Sequence, residues 1–313
     1  KTTLSLSAFF WPSLPFIHIL KSYNRSNWSG DWRASINVAL LAIPQGMAYA
    51  LVAGLPIQYG LLGSAFAAIF GGFLGKGRFI TLGPTNATAV LLFGVFAGLG
   101  MINKNGMGSE SALMVLPWIL CFSGLFLLFA SFLRISYMVQ FVSRTVITAY
   151  VTAAACLIIA NQSKHLLGLG GQGGETSSTF WGILSNTFSQ LGQASEPALW
   201  LSLFTAGTYL FLQRALKALP NVALTLVLSS LLGILFEKFG WKVFYLDSFE
   251  SNQTFFTVPE IETLNIYWET ILWSAAAVSL LCLLEGLSIG KSLAARAGER
   301  IDSNQETFSI GVA

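Results

Sequence analysis

The chain has 313 residues, of which 54% are hydrophobic and 10% are charged, and its mean hydropathy is +0.66. An ordinary soluble domain carries about 25% charged residues, so this composition argues for an integral membrane protein in a lipid bilayer. The net charge of +3 includes no basic block, which argues against nucleic acid as a partner. The three scattered cysteines fit neither a disulfide framework nor a zinc site, and we expect no cofactor.

The chain opens with a lead-in at residues 1–32 that is amphipathic and rich in aromatic side chains. Its Trp11, Trp28 and Trp32 suit the interface between lipid and water. Apolar segments then follow at about 33–53, 60–75, 84–100, 113–132, 138–160, 197–213, 221–237 and 267–290. Several are shorter than the roughly 20 residues of a full membrane span. Pro44 lies inside the first segment, and we expect it to kink or interrupt that helix.

The basic residues indicate an orientation. If the N-terminus is cytoplasmic and each apolar segment crosses once, only four of the 17 Lys and Arg residues lie outside: Lys104, Lys164, Lys238 and Lys242. Cytoplasmic loops carry an excess of Lys and Arg, so the pattern favours this topology. We therefore expect a cytoplasmic N-terminus, a bacterial inner membrane location, and external connections at about 161–196 and 238–266.

The first candidate site is a helix start inside a membrane-sized apolar region. Residues 79–82 (F-I-T-L) read as a short β-like run, and a helix is expected to start just after it with Pro84 near its first turn. The free backbone N–H groups of Thr85, Asn86 and Ala87 would then face an anion at the positive end of the helix dipole. The alternative is a helix start that is merely capped and buried.

A second candidate is the polar pair on the first apolar segment. Gln45 and Tyr49 are four residues apart, so they share one face of a helix. Polar side chains within a span should point into protein or a cavity rather than lipid. We expect this pair to contact substrate. The alternative is a structural kink with hydrogen bonds between helices.

The third candidate is Glu285, the one acid left within an apolar segment. An acid inside a membrane is a functional candidate by default, because burial favours its neutral form and allows it to exchange a proton. Ser288 follows three residues later and could share that face. We expect the pair to couple transport to H⁺ or to hold Na⁺, and we expect no other metal. The alternative is a salt bridge to a basic residue in another span.

Four motifs in the chain resemble the sulfate permease (SulP) family of anion transporters. Residues 43–50 (I-P-Q-G-M-A-Y-A) match the family's first helix, and residues 83–85 (G-P-T) its third-helix entry. Residues 56–61 (P-I-Q-Y-G-L) resemble the start of the family signature, although Leu62 replaces the usual Tyr. Residues 285–291 (E-G-L-S-I-G-K), with R-I-D-S-N-Q-E after them, resemble the eighth helix and the loop that follows.

The resemblance implies an all-α membrane protein with short β-like runs before half-helices. Its fold would be UraA-like, with two inverted repeats of seven segments arranged as core and gate domains. The anion would sit between the facing N-termini of the third and tenth helices. Gln45 and Tyr49 match first-helix positions that line this site, and Glu285 matches the acid associated with cation coupling.

The same resemblance divides the chain. Residues 33–237 would form the first repeat, and residues 238–313 would hold an outer loop, the eighth segment and the start of the second repeat. The fold would therefore be incomplete here, because the rest of that repeat and the family's STAS domain are not among these residues.

We expect secondary active symport of an inorganic oxyanion, and sulfate is the first candidate substrate. H⁺ or Na⁺ would drive this symport through alternating access. A bicarbonate or dicarboxylate transporter and an uncoupled exchanger or channel are the alternatives. An enzyme is not expected, because His18 and His165 lie in the lead-in and an outer loop, away from Glu285. A homodimer is left open.

Overall fold

The computed structural model describes residues 15–77, 79–80, 82–103, 106–135, 144–169, 180–215, 221–241, 243 and 259–313. Within them the chain is helical, with 3-10 turns at Arg25–Asn27 and Leu191–Gln193. The α-helices are α1 (Pro15–Ser22), α2 (Trp28–Val52), α3 (Ile57–Leu74), α4 (Asn86–Gly98), α5 (Glu110–Phe132), α6 (Arg144–Leu166), α7 (Phe180–Ser189), α8 (Glu196–Ala215), α9 (Asn221–Lys238), α10 (Ile261–Ala297) and α11 (Ser303–Val312).

Each of the eight expected apolar segments coincides with a helix, from α2 to α6 and from α8 to α10. α2 begins at Trp28, five residues before the expected segment, so the last part of the lead-in joins that helix. Residues 1–14 of the lead-in, including Trp11, lie outside the described residues. The short α7 was not expected, because it lies within a connection too polar to show a membrane span.

Four of the described helical stretches are long and apolar enough to cross a bilayer: Arg25–Val52, α3, α5 and α10. α4 is apolar but has only 13 residues. It therefore extends about 20 Å, less than the hydrocarbon core of a bilayer. α10 has 37 residues and extends about 55 Å, so it must continue beyond the apolar layer.

A buried apolar cluster joins α2, α4, α5 and α10. Phe96, Val115, Ile119 and Ile271 are fully buried within it. A smaller cluster of Leu127, Leu283, Leu287 and the partly buried Ile310 attaches α11 to α5 and α10. By contrast, α6 to α9 pack chiefly among themselves, and Thr205 on α8 donates a hydrogen bond to Ser229 on α9 at 2.9 Å.

Glycines allow two of the helix pairs to approach backbone to backbone. A Cβ at Gly46 of α2 would lie 2.6 Å from the carbonyl oxygen of Gly60 on α3. A Cβ at Gly124 of α5 would lie 2.8 Å from the carbonyl oxygen of Gly311 on α11. Small residues at such crossings are typical of membrane helix pairs. The first crossing places the Gln45–Tyr49 face of α2 relative to α3.

Large apolar side chains cover the outside of the helices. Trp273 is 73% exposed and Phe211 is 69% exposed. In water such an apolar surface would promote aggregation, whereas in a bilayer it is the surface expected to contact lipid. The exposed surface therefore agrees with the composition in indicating a membrane environment.

Two local expectations are corrected. Pro44 does not interrupt the first span, since α2 runs continuously from Trp28 to Val52. A proline removes one N–H from the helix ladder, and α2 continues past it, packing closely on α3 at Gly46 two residues later. The β-like run is not confirmed either. Phe79, Ile80 and Leu82 form no strand, because no described residue pairs with their backbone, and Thr81 lies outside the described residues.

Candidate functional site

The segment that leads into α4 lies between α3 and α10. Leu82 lies over Gly71 of α3, where an added Cβ would come within 3.0 Å of its side chain. Ile80 lies over Gly290 of α10 in the same way, with its Cδ1 atom 2.6 Å from that Cβ position. The absence of side chains at two glycines thus lets this segment approach both helices. Thr85 comes to α10 as a result.

Thr85 is the N-cap of α4. Its backbone is extended, with φ −117° and ψ 156°, and its hydroxyl oxygen accepts from the N–H of Thr88 at 3.3 Å. The Thr88 hydroxyl in turn donates to the carbonyl of Thr85 at 2.9 Å. The sequence suggested that Pro84 occupies the first turn of α4. Pro84 instead precedes the cap residue Thr85. Asn86 takes that first helical position, and Pro84 directs the chain into the cap.

Within the described part of the chain, the cap leaves two backbone donors without an acceptor at the start of α4. The first helical hydrogen bond runs from the N–H of Ala89 to the carbonyl of Thr85 at 3.0 Å. Thr88 donates to the cap, and no acceptor among the described residues lies against the N–H groups of Asn86 and Ala87. Asn86 is 7% exposed. These groups carry the partial positive charge of the helix start and can bind an anion.

Glu285 contacts this helix start directly. The Thr85 hydroxyl donates to Oε2 of Glu285 at 2.9 Å, joining residues 200 positions apart. The carboxylate is half-buried on α10. No basic residue within the described part of the chain pairs with it, so the salt-bridge alternative finds no support there. A negative carboxylate beside a helix N-terminus is itself stabilised by the helix dipole.

The position of Glu285 along α10 places the contact well inside the helix. It lies 24 residues after Ile261 and 12 before Ala297, which corresponds to about 36 Å and 18 Å at 1.5 Å per residue. Because Thr85 is bonded to Glu285, α4 begins at this depth and not at the end of the longest span. The half-helix predicted from the sequence therefore starts within the helix bundle.

Two further polar atoms lie on α10 beyond Glu285. The hydroxyl of Ser288 and the Nζ atom of Lys291 are both buried, and neither has a hydrogen-bond partner among the described residues. A free hydroxyl oxygen is a ligand suited to Na⁺, as is a carboxylate. No cluster of three or more His, Cys, Asp or Glu side chains occurs in the described part of the chain. Glu285 and Ser288 thus offer a carboxylate and a hydroxyl oxygen three residues apart on α10.

Gln45 and Tyr49 share one face of α2, as their spacing predicts. The Gln45 side-chain amide donates to the Tyr49 hydroxyl at 2.8 Å. Gln45 is exposed, whereas Tyr49 is partly buried against the cluster that contains Ala89 of α4. No hydrogen bond between described residues connects this pair with Thr85 or Glu285. The structure therefore joins Gln45 with Tyr49 and Thr85 with Glu285, as two separate hydrogen-bonded pairs.

The sequence did not identify every residue at the site. Thr88 completes the cap of α4. Its only signal in the sequence is its position three residues after Thr85, a spacing found at other capped helix starts. Lys291 was visible only as part of a motif. The bond between Thr85 and Glu285 had no signal in the sequence, because nothing local relates residues on α4 and α10.

The model of the sulfate permease family matches residues 29–313. A sodium-independent sulfate anion transporter from Bos taurus is 29% identical over 95% of this chain and 52% of its own length. A probable sulfate transporter from Arabidopsis thaliana, numbered 4.2, is 26% identical over 90% of this chain and 41% of its own. The chain thus spans about half the length of these relatives.

Solved structures share the fold. The murine anion transporter Slc26a9 in the inward-facing state has a TM-score of 0.79 with 18% identity, covering 100% of this chain and 53% of that one. The transmembrane domain of the cyanobacterial bicarbonate transporter BicA has a TM-score of 0.74 with 19% identity, covering 91% of this chain and 70% of that one. At these identities the likeness concerns the fold alone.

Proposed function

We propose that this chain, which belongs to the sulfate permease family, forms part of a secondary active transporter. Its substrate would be an inorganic oxyanion, and sulfate is the first candidate. The observation that supports this most is the start of α4. There the N–H groups of Asn86 and Ala87, which have no acceptor among the described residues, follow the cap residue Thr85, whose hydroxyl donates to Glu285. One helix terminus contributes about 0.3–1 kcal/mol when exposed and up to about 2 kcal/mol when partly buried.

Glu285 and the anion would compete for the same positive potential. While the site is empty, the ionised carboxylate lies against the helix start and occupies the place of a counter-ion. An oxyanion that approaches this carboxylate is repelled. Protonation of Glu285, or Na⁺ bound by Glu285 and Ser288, removes that repulsion and allows the anion to load. This is a physical reason for cation and anion to move together.

The movement itself would be alternating access. α2, α4, α5, α10 and α11 share buried clusters, α3 packs on α2 and α11, and α6 to α9 pack chiefly among themselves. We propose that these groups belong to the core and gate domains, and that the core moves as a rigid unit past the gate with the anion bound. Gln45 and Tyr49 would contact the anion from α2, across from the start of α4.

The test is the Glu285→Gln variant of the full-length protein in sulfate uptake. Glutamine keeps the size of the side chain and an acceptor for the Thr85 hydroxyl, but it cannot gain or lose the charge. We expect sulfate binding to persist and the dependence of uptake on a proton or Na⁺ gradient to disappear. Gradient-driven uptake equal to that of the wild type would contradict the coupling role.

A matched control lies on the same helix. Glu262 is an exposed acid in the first turn of α10. Glu262→Gln removes the same charge at a distance from Thr85, so gradient dependence should be unchanged. Loss of coupling in both variants would mean that net charge, and not the contact with Thr85, is what matters.

Bicarbonate is the alternative substrate, and the fold likeness to BicA supports it. A helix terminus recognises charge and size and does not select one oxyanion over another. Competition for labelled sulfate by bicarbonate and by fumarate in the same uptake assay separates these substrates. Strong competition by bicarbonate with weak self-competition by sulfate would favour the alternative.

A further inference from the structure

We infer that the buried carboxylate of Glu306 is a positioning residue for the anion site, because it fixes the backbone that delivers Thr85 to Glu285. Glu306 lies in the first turn of α11 and is 2% exposed. This inference rests on the proposed function, since it concerns how the start of α4 is held in place. It assigns a role to the polar motif D-S-N-Q-E after the eighth apolar segment.

The carboxylate of Glu306 binds the backbone just after α3. Its Oε1 atom accepts from the N–H of Lys76 at 2.9 Å and from the N–H of Gly77 at 2.5 Å. A Cβ at Gly77 would lie 3.0 Å from that same oxygen, so a larger residue there would have to displace the carboxylate by a few tenths of an ångström. Hydrogen bonds to an ionised acceptor are about twice as strong as neutral ones.

The neighbouring residue binds the end of α3 itself. Gln305 is 4% exposed, and its side-chain amide donates to the carbonyl of Leu74 at 2.8 Å. Leu74 is the last residue of α3, where carbonyl groups have no partner within the helix. Glu306 and Gln305 together therefore satisfy the carbonyl of Leu74 and the N–H groups of Lys76 and Gly77.

α11 is itself fixed to the helix bundle. Asp302 caps its N-terminus by accepting from the N–H of Gln305 at 3.3 Å, and the Ser131 hydroxyl of α5 donates to the carbonyl of Asn304 at 3.0 Å. Gly124 and Gly311 bring α5 and α11 into close backbone contact. The carboxylate that holds residues 76 and 77 thus projects from a helix packed against the core.

The constraint extends from there to the anion site along the chain. After Gly77, the side chain of Ile80 lies on Gly290 and that of Leu82 lies on Gly71. Three residues later Thr85 caps α4 and donates to Glu285. The segment from Leu74 to Thr85 is therefore anchored at its beginning by α11, along its middle by two glycine contacts, and at its end by α10. Loss of the Glu306 contact with residues 76 and 77 should therefore weaken the contact of Thr85 with Glu285.

The experiment compares three variants of the full-length protein reconstituted in sealed lipid vesicles. Glu306→Ala removes the acceptor, and Glu306→Gln keeps one oxygen that can accept from both N–H groups. Thr307→Val is the matched control, since Thr307 is fully buried and its hydroxyl donates only to the carbonyl of Ser303 within α11. Two quantities are measured: the KM for sulfate uptake, and hydrogen exchange in peptides covering residues 75–88.

We expect Glu306→Ala to raise KM on the order of tenfold and to speed exchange at residues 75–88, while exchange in α5 stays as in the wild type. Glu306→Gln should restore both quantities, and Thr307→Val should leave both unchanged. The inference is overturned if Glu306→Ala folds and matches the wild type, or if Thr307→Val produces the same losses through general weakening of α11. If the wild type itself transports no oxyanion, the proposed function fails, and the exchange data still decide whether Glu306 holds the segment.

Discussion

At the scale of single residues, Thr85 performs two tasks with one hydroxyl group. The oxygen accepts from the N–H of Thr88 and so begins α4, and the same group donates to Glu285. A change in the charge of Glu285 therefore acts directly on the residue that caps the half-helix. Cation binding at Glu285 could therefore alter the N–H donors of Asn86 and Ala87 through a single hydrogen bond.

Tyr49→Phe is predicted to weaken anion binding. The hydroxyl accepts from the Gln45 side-chain amide, and its loss leaves that amide without its partner and removes a polar group from the proposed site. A single hydrogen bond contributes about 0.5–1.5 kcal/mol, so affinity should fall by up to about tenfold. The measurement is sulfate binding to the purified full-length protein.

Tyr59 provides the control for that substitution. It lies in the first turn of α3 and is 37% exposed. Tyr59→Phe removes an identical hydroxyl outside the proposed site and should leave affinity unchanged. Wild-type affinity in Tyr49→Phe would remove the tyrosine from the anion site, and equal losses in both would indicate a general effect of the substitution.

Some contacts between single residues were predictable from the sequence, and others were not. The contact between Gln45 and Tyr49 follows from the 3.6-residue period of a helix, because residues four apart share a face. The helix start near Thr85 was predictable too, although its first residue was misplaced by the position given to Pro84. The bond between Thr85 and Glu285 was not predictable, because it depends on how α4 packs on α10.

At the scale of helices, α2 contains a proline, is continuous, and packs backbone to backbone on α3 just after that proline. Gly46 and Gly60 lie opposite each other, and the Ser64 hydroxyl lies beside Gly46 and donates to the carbonyl of Gly60 at 2.7 Å. The close approach supports α2 just after Pro44. The glycines within two of the sequence motifs thus have a packing role, separate from any contact with substrate.

Gly60→Ala is predicted to destabilise the protein. Its Cβ would collide with the backbone carbonyl of Gly46, and backbone cannot move aside as a flexible side chain can. Overpacking of this kind costs about 1–3 kcal/mol. The expected result is a lower midpoint of thermal unfolding in detergent.

Gly63, one turn further along α3, tests whether that cost is due to the contact. A Cβ at Gly63 has no atom within 4 Å. Gly63→Ala should therefore be neutral or slightly stabilising, because alanine has the higher helix propensity. If both alanine variants unfold at the wild-type midpoint, the close α2–α3 crossing is not important for stability.

At the scale of the whole molecule, the orientation in the membrane is the next quantity to measure. The distribution of Lys and Arg predicts that the connection at 161–196 is external and that the turn between α10 and α11 is cytoplasmic. Both regions contain exposed described residues, Gln193 and Arg300. The orientation stays a prediction of the sequence, since it depends on the membrane and not on internal contacts.

Single cysteines at these positions provide the test. After replacement of Cys121, Cys156 and Cys282 by alanine, an impermeant thiol reagent should label Gln193→Cys in intact cells. It should label Arg300→Cys only after the membrane is permeabilised. The opposite pattern would reverse the orientation, and labelling of both positions in intact cells would contradict an odd number of crossings between them.

The sequence alone determined the membrane character of this protein, its eight main helices and the residues most worth testing. Composition, helical period and the exclusion of charge from long segments are local properties, and they hold whatever the tertiary arrangement. Only the tertiary structure decided that Pro44 lies within an unbroken helix, that Thr85 bonds to Glu285, and that Glu306 holds the backbone before α4. Each of these depends on contacts between distant parts of the chain, which arise when glycines let helices approach and buried polar groups must find partners.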